Sequence, residues 1–134
     1  MNFKKLFLSL VIVLFASKTF AANLVSVGTF KDWQVFTATT EKGKICFAQS
    51  KPKTRSPKNF KREPSKLFVT FRPQENIKDE VSVTSGHVFK ASSVNVKSGR
   101  NNFSLLSKEN FAWIIDEDEE KKFIKLMKKA SNIM

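Results

Sequence analysis

Lys66-Leu67-Phe68-Val69-Thr70-Phe71-Arg72-Pro73 alternates without a break: Leu67, Val69 and Phe71 on one side, Phe68, Thr70 and Arg72 on the other. β-branched and aromatic residues repeating every second position fit a pleated strand with one face in a core. Pro73 has no amide hydrogen to give to a ladder and ends the run. The expected central strand therefore buries Leu67, Val69 and Phe71.

Shorter runs of the same kind lie on both sides. Leu24 to Phe30 reads as a first edge strand. Asp32 to Phe36 and Lys44 to Gln49 flank a polar turn at Thr39 to Gly43, so residues 33–49 form a hairpin. Trp33 reads as a core anchor. Beyond the central strand, Glu80-Val81-Ser82-Val83-Thr84 places both valines inward. Ser85-Gly86-His87 is a bend in which Gly86 suits a bulge or a positive φ, and Val88-Phe89 continues the strand. Ser93 to Lys97 alternates again, Phe103 and Leu105 return on one face, and Phe111 to Ile115 is the last strand. Short strands separated by turns every eight to twelve residues predict a mainly β fold, a β-sandwich of antiparallel strands.

The period changes after Ile115. Asp116 caps a helix over 116–130, with Glu119 three residues on as the second half of a capping box. Acids crowd its start and lysines its end, as the helix dipole favours. Phe123, Leu126, Met127 and Ala130 form one apolar stripe that packs on the sheet.

Residues 1–21 read as a secretory signal: Lys4 and Lys5, then the apolar run Leu6 to Ala16, then Thr19 and Ala21 before a cut ahead of Ala22. The apolar run is 11 residues long, against the roughly 20 needed to span a bilayer. The expected location is a bacterial periplasm or beyond, with residues 22–134 as one domain. Lys4, Lys5 and Lys18 leave with the signal, so the remainder keeps 21 basic residues against 12 acidic ones, a net charge of +9. Such a charge favours anionic partners: envelope headgroups, glycans or nucleic acid.

The charge is concentrated. The loop 50–65 contains Pro52, Pro57 and Pro64, which exclude a ladder strand. Together with its flank it carries Lys51, Lys53, Arg55, Lys58, Lys61, Arg62 and Lys66, with Glu63 as the single acid. We read these seven residues as the candidate anion-contacting site, with Phe60 placed to stack or insert. No Arg-Gly repeat accompanies them, so specific nucleic-acid binding is not expected.

Motifs of catalysis are missing from the sequence. There is one histidine, His87, and one cysteine, Cys46, with no G-x-S-x-G, Walker or G-x-G-x-x-G pattern. Cys46 lies in the strand-like Ile45-Cys46-Phe47-Ala48 and reads as a small thiol within the sheet. The expectation is a non-enzymatic protein without metal or cofactor. The alternative is a periplasmic hydrolase or redox protein of unknown substrate.

Asp32-Trp33, Ile45-Cys46, Phe68 to Pro73, Glu80 to Phe89 with Ser85-Gly86, Ala112-Trp113 and the helix ending Met127-Lys128-Lys129 occur in an order that resembles the invasion-associated locus B family of small bacterial envelope proteins. The resemblance spans about residues 28–130. It implies an immunoglobulin-like β-sandwich and a virulence role in host-cell invasion, and it assigns no catalytic residues. Family members often have Tyr where His87 stands, and they continue past the helix into further strands. The expectation that follows is an exposed sheet edge, open to a protein partner, and a partly uncovered apolar groove beside the central strand.

Overall fold

The computed structural model describes residues 22–59, 61 and 63–134. The leader read in residues 1–21, together with Phe60 and Arg62, lies outside them. Eight strands follow in chain order: β1 (Asn23–Phe30), β2 (Trp33–Thr40), β3 (Gly43–Ser50), β4 (Lys66–Arg72), β5 (Ile77–Thr84), β6 (Ser93–Ser98), β7 (Asn101–Lys108) and β8 (Phe111–Trp113). One helix, α1 (Glu117–Met127), closes the order, and a single 3-10 turn starts at Pro73, where β4 stops.

The fold is mainly β with one C-terminal helix, as the alternation requires. All eight strands are hydrogen-bonded side by side in one antiparallel sheet, in the order β1-β2-β3-β4-β5-β8-β7-β6, rather than divided between the two sheets of a sandwich. The reason is β8. Its three residues pair with β5 on one side, Val83 opposite Ala112, and with β7 on the other, Ala112 opposite Ser107. This bridge fuses the β1–β5 meander to the β6–β7 hairpin. β4 sits in the middle of the result.

Directly opposed residues of antiparallel strands share a face. On one face Leu67 and Val69 stand opposite Val83 and Val81, and the same row continues through Ala112 to Leu105, Phe103, Val94 and Val96. Helix α1 covers the part of this face built by β5–β8, whereas toward β1 the same face leaves Phe71, Val25 and Phe30 exposed. Val81, Leu105, Ala112 and Phe123 are completely enclosed, joined by Val96, Phe103 and Ile114, with Leu67, Val83, Leu126 and Met127 packed around them. The Phe123 ring meets Phe103 edge-on, centroids 5.0 Å apart. The helix begins where the sequence says it should: Asp116 is in extended geometry and its carboxylate accepts the Glu119 N–H at 2.8 Å. The side chain of Glu119 pairs with Lys122 at 2.6 Å.

Three expectations need correction. Phe71 is 39% exposed and outside the core. A bulge between Thr70 and Arg72, where Asp79 takes φ 56°, leaves Phe71 without a directly opposed residue on β5. Val88 and Phe89 do not continue β5. At Gly86, φ 77°, the chain leaves the sheet, and the Phe89 N–H goes to the Glu109 carbonyl at 2.8 Å. Trp33 is half-buried near the sheet edge and is not a core anchor.

The two edges differ. β6 is partly occupied by the last residues: Lys97 and Met134 exchange backbone hydrogen bonds of 2.7 and 2.8 Å, and the Ser98 hydroxyl donates to the Asn132 carbonyl. No strand lies outside β1 among the described residues.

Candidate binding face

The face away from α1 is built from aromatics. Phe36 on β2, Phe47 on β3, Phe68 on β4, and Phe111 with Trp113 on β8 form a continuous row. Successive ring centroids are 5.4 Å (Phe36–Phe47), 6.1 Å (Phe47–Phe68), 6.1 Å (Phe68–Phe111) and 5.8 Å (Phe111–Trp113). Register explains the row. Phe36 stands opposite Phe47, and Phe68 stands opposite Ser82, which stands opposite Trp113. Because β5 contributes only Ser82 and Thr84 at this level, rings from β4 and β8 meet across it. Gln49 fills the gap between Phe47 and Phe68 in its own strand pairing and donates to the Gln34 side chain at 3.0 Å. Ser82 and Gln49 are buried beneath their neighbours, whereas every ring of the row is only half-buried. Leu24 and Leu106, at 58% and 54% exposure, extend the apolar surface to both sides.

The basic loop follows one end of this face. Lys53 reaches Asp32 in the β1–β2 turn at 3.0 Å. At the other extreme the Ser65 hydroxyl donates to the Ser85 carbonyl at 3.3 Å, and the Glu63 carbonyl packs against Gly86. The loop thus runs along the strand ends from β1 to β5. Lys51, Lys53, Arg55, Lys58 and Lys61 are all exposed on it. Lys66 is half-buried at the start of β4. It stands opposite Thr84, which stands opposite Phe111, which stands opposite Lys108. Lys66 and Lys108 therefore flank the end of the aromatic row on the same face.

The far end of the sheet is acidic. Arg72 holds Glu80 at 2.8 Å and lies 3.3 Å from Glu75; that second contact is an ion pair without hydrogen-bond geometry, which leaves the guanidinium Nε without a hydrogen-bond acceptor. β8 ends before Val81, so the Val81 N–H has no strand partner there and donates instead to the Glu120 carboxylate at 2.6 Å. Burial raises the Glu120 pKa above its ordinary value of 4.5. The Val81 N–H opposes the shift, and the nearby acids Glu80, Asp79 and Glu117 add to it. An open cleft of about 830 Å³ lies here, lined by Arg72, Glu80, Trp113, Glu117 and Glu120 among others.

The remaining candidate groups are not brought together. His87 is exposed, with its Nδ1 3.0 Å from the Ser85 hydroxyl. Cys46 is a half-buried free thiol with Thr37 and Phe71 as its cross-strand neighbours. Among the described residues no group of three His, Cys, Asp or Glu side chains is placed to hold a metal, and no helix is long and apolar enough to cross a membrane.

No family model, no curated protein and no solved structure matches the chain.

Proposed function

We propose that this protein is a secreted, non-enzymatic interaction module of a bacterial envelope or host surface, the role implied by its resemblance to the invasion-associated locus B family. Its contact with an anionic surface is made by Lys51, Lys53, Arg55, Lys58, Lys61, Arg62 and Lys66. The observation that supports this reading is the course of the basic loop along one end of a sheet whose aromatic face carries no helix among the described residues. Positive charge gathered at one end, with the acids gathered at the other, orients the molecule toward a negative surface.

The test is binding to a soluble polyanion, long-chain polyphosphate, as salt is raised. Exposed charges are screened over about 8–10 Å at ordinary ionic strength, so the affinity should fall steeply. Replacing Lys51, Arg55 and Lys58 together by Gln should weaken it further. Binding unchanged by salt and by the triple replacement would refute the reading.

The outer edge of β1, beside which no strand lies among the described residues, favours a second contact, a strand added by a protein partner. A stoichiometric complex that slows hydrogen exchange at alternate β1 amides would establish it. An exchange pattern unchanged in every candidate complex would count against it.

A further inference from the structure

The geometry points to a lipid bilayer with anionic headgroups as the partner, docked flat against the aromatic face. This rests on the anionic-surface reading above and adds to it the nature of the surface. Three features carry it. First, apolar residues of this face connect β1 to β7: Leu24 stands opposite Ala38, the ring row runs from Phe36 through Phe47, Phe68 and Phe111 to Trp113, and Trp113 stands opposite Leu106. Second, nothing covers them among the described residues. The rings are only half-buried, and the two leucines are more than half exposed. α1 packs on the opposite face over β5–β8; beyond that core the opposite face also exposes Val25, Phe30 and Phe71. Third, the charge at the rim is complementary to headgroups. Lys66 and Lys108 lie on the same face at the end of the row, and the exposed lysines of the loop continue the rim. The acids border the other end of the row: Glu80, held by Arg72, lines the cleft beside Trp113 with Glu117 and Glu120, and Asp116 and Glu119 share a second cleft with Leu106.

A soluble polyanion such as polyphosphate would use the rim and leave the aromatic surface wet. A bilayer uses both. Aromatic side chains settle at the boundary between headgroups and acyl chains, and each basic residue near an anionic leaflet strengthens association about fivefold. All the rings in the row except Trp113 are phenylalanines, with no hydroxyl to desolvate on entry.

The two tryptophans make the orientation measurable, because they lie on opposite faces. Trp113 belongs to the aromatic row. Trp33 stands opposite Phe30 and Ser50, in line with Leu67 on the other face. The experiment uses protein purified from an exporting host, its first residue read by intact mass, in two forms: Trp33→Phe, which leaves Trp113 as reporter, and Trp113→Phe, which leaves Trp33. Each is titrated with vesicles of 30% phosphatidylglycerol and 70% phosphatidylcholine brominated along its acyl chains. The expected result is quenching of Trp113 at least twofold stronger than that of Trp33. Leu24→Ser with Leu106→Ser should lower vesicle affinity several-fold, while Val25→Ser, one residue along β1 but on the opposite face, should not. Far-ultraviolet circular dichroism of each variant establishes that it is folded.

Equal quenching of both tryptophans, or equal affinity of the Leu24/Leu106 and Val25 variants, would overturn the bilayer proposal. If polyphosphate binding persisted in that event, the anionic-surface reading would survive without it. Loss of binding to vesicles and polyphosphate alike would remove both.

Discussion

Phe123 is the residue that fastens the helix to the sheet, and truncating it should come close to unfolding the protein. Its ring is fully enclosed, edge-on to Phe103 and packed in the cluster that holds Val81, Leu105 and Ile114. Burying a phenylalanine removes roughly 150–250 Å² from water, or about 4–6 kcal/mol at about 25 cal/mol per Å². Measured Phe→Ala losses in cores run about 3–5 kcal/mol. Because α1 covers the face in a single layer and Phe123 is its one fully enclosed side chain, little else can close the hole, and the upper half of that range applies. Domains of this size are stable by about 5–15 kcal/mol, so Phe123→Ala would leave a small remainder. Phe123→Leu keeps most of the volume and should cost about 1–1.5 kcal/mol. Phe47→Ala, in the aromatic row, removes a ring that is only half-buried and should cost about half as much as Phe123→Ala. Urea denaturation followed at 222 nm measures all three. A Phe123→Ala loss below about 1 kcal/mol, or one smaller than that of Phe47→Ala, would mean that the covered face is not the core.

Three further outcomes follow from the polar contacts and the turns. Glu120 has a raised pKa in the folded protein, so the folded state holds its proton more tightly than the unfolded one, and stability falls as pH rises from about 4.5 through the folded value. Glu120→Gln keeps an acceptor for the Val81 N–H and should remove that part of the pH dependence; matching denaturation profiles of the two proteins between pH 4 and 7 would contradict it. Arg72 is mostly buried between Glu75 and Glu80, and Arg72→Ala should cost on the order of 1–2 kcal/mol, between exposed and fully buried pairs, a loss that 1 M salt should not reproduce in the parent. Gly86 and Gly99 both take positive φ, but a Cβ at Gly86 would run into the Glu63 carbonyl while one at Gly99 meets nothing. Gly99→Ala should therefore cost about 1 kcal/mol of backbone strain, and Gly86→Ala should cost more and speed proteolysis within the 51–65 loop; equal losses would refute the packing of the loop on Gly86.

Period-two alternation made the strands legible. It needs only neighbours in sequence, and Leu67, Val69, Val81, Val83, Phe103 and Leu105 all lie on the covered face. The helix start was legible for the same reason, since Asp116 caps an N–H three residues away. What alternation does not encode is which strand lies beside which. A strand with one apolar face reads identically in a sandwich and in a single sheet, and the pairing of β8 with β5 joins residues such as Val83 and Ala112 that are far apart in the chain. The extent of β8 was hidden as well. Ile115 continues the apolar run but is 68% exposed, because the chain must turn there to reach the helix cap. The aromatic row was missed because no local window contains it. A usable trace was present in β4, where Phe68 falls out of phase with Leu67 and Val69, and its cross-strand register leads to the face that also carries Phe47. The same phase, followed from strand to strand, would have collected Phe36, Phe111 and Trp113.

That difference of phase bears on what each face is for. The covered face uses Val, Leu and Ala, which interdigitate beneath a helix. The other face uses large rings that shield Gln49, Ser82 and one another, with no second layer among the described residues. Stability alone does not ask for that arrangement, because half-buried rings contribute much less than enclosed ones, and an open apolar surface invites association. Positive charge along the rim offsets that risk by keeping copies of the chain apart, and it also selects what does approach. A like-charged copy is repelled, and on the bilayer proposal a negative surface with an apolar interior is drawn in and then held. Under that proposal the aromatic face and the basic loop act as one device, in which charge chooses the partner and the rings retain it.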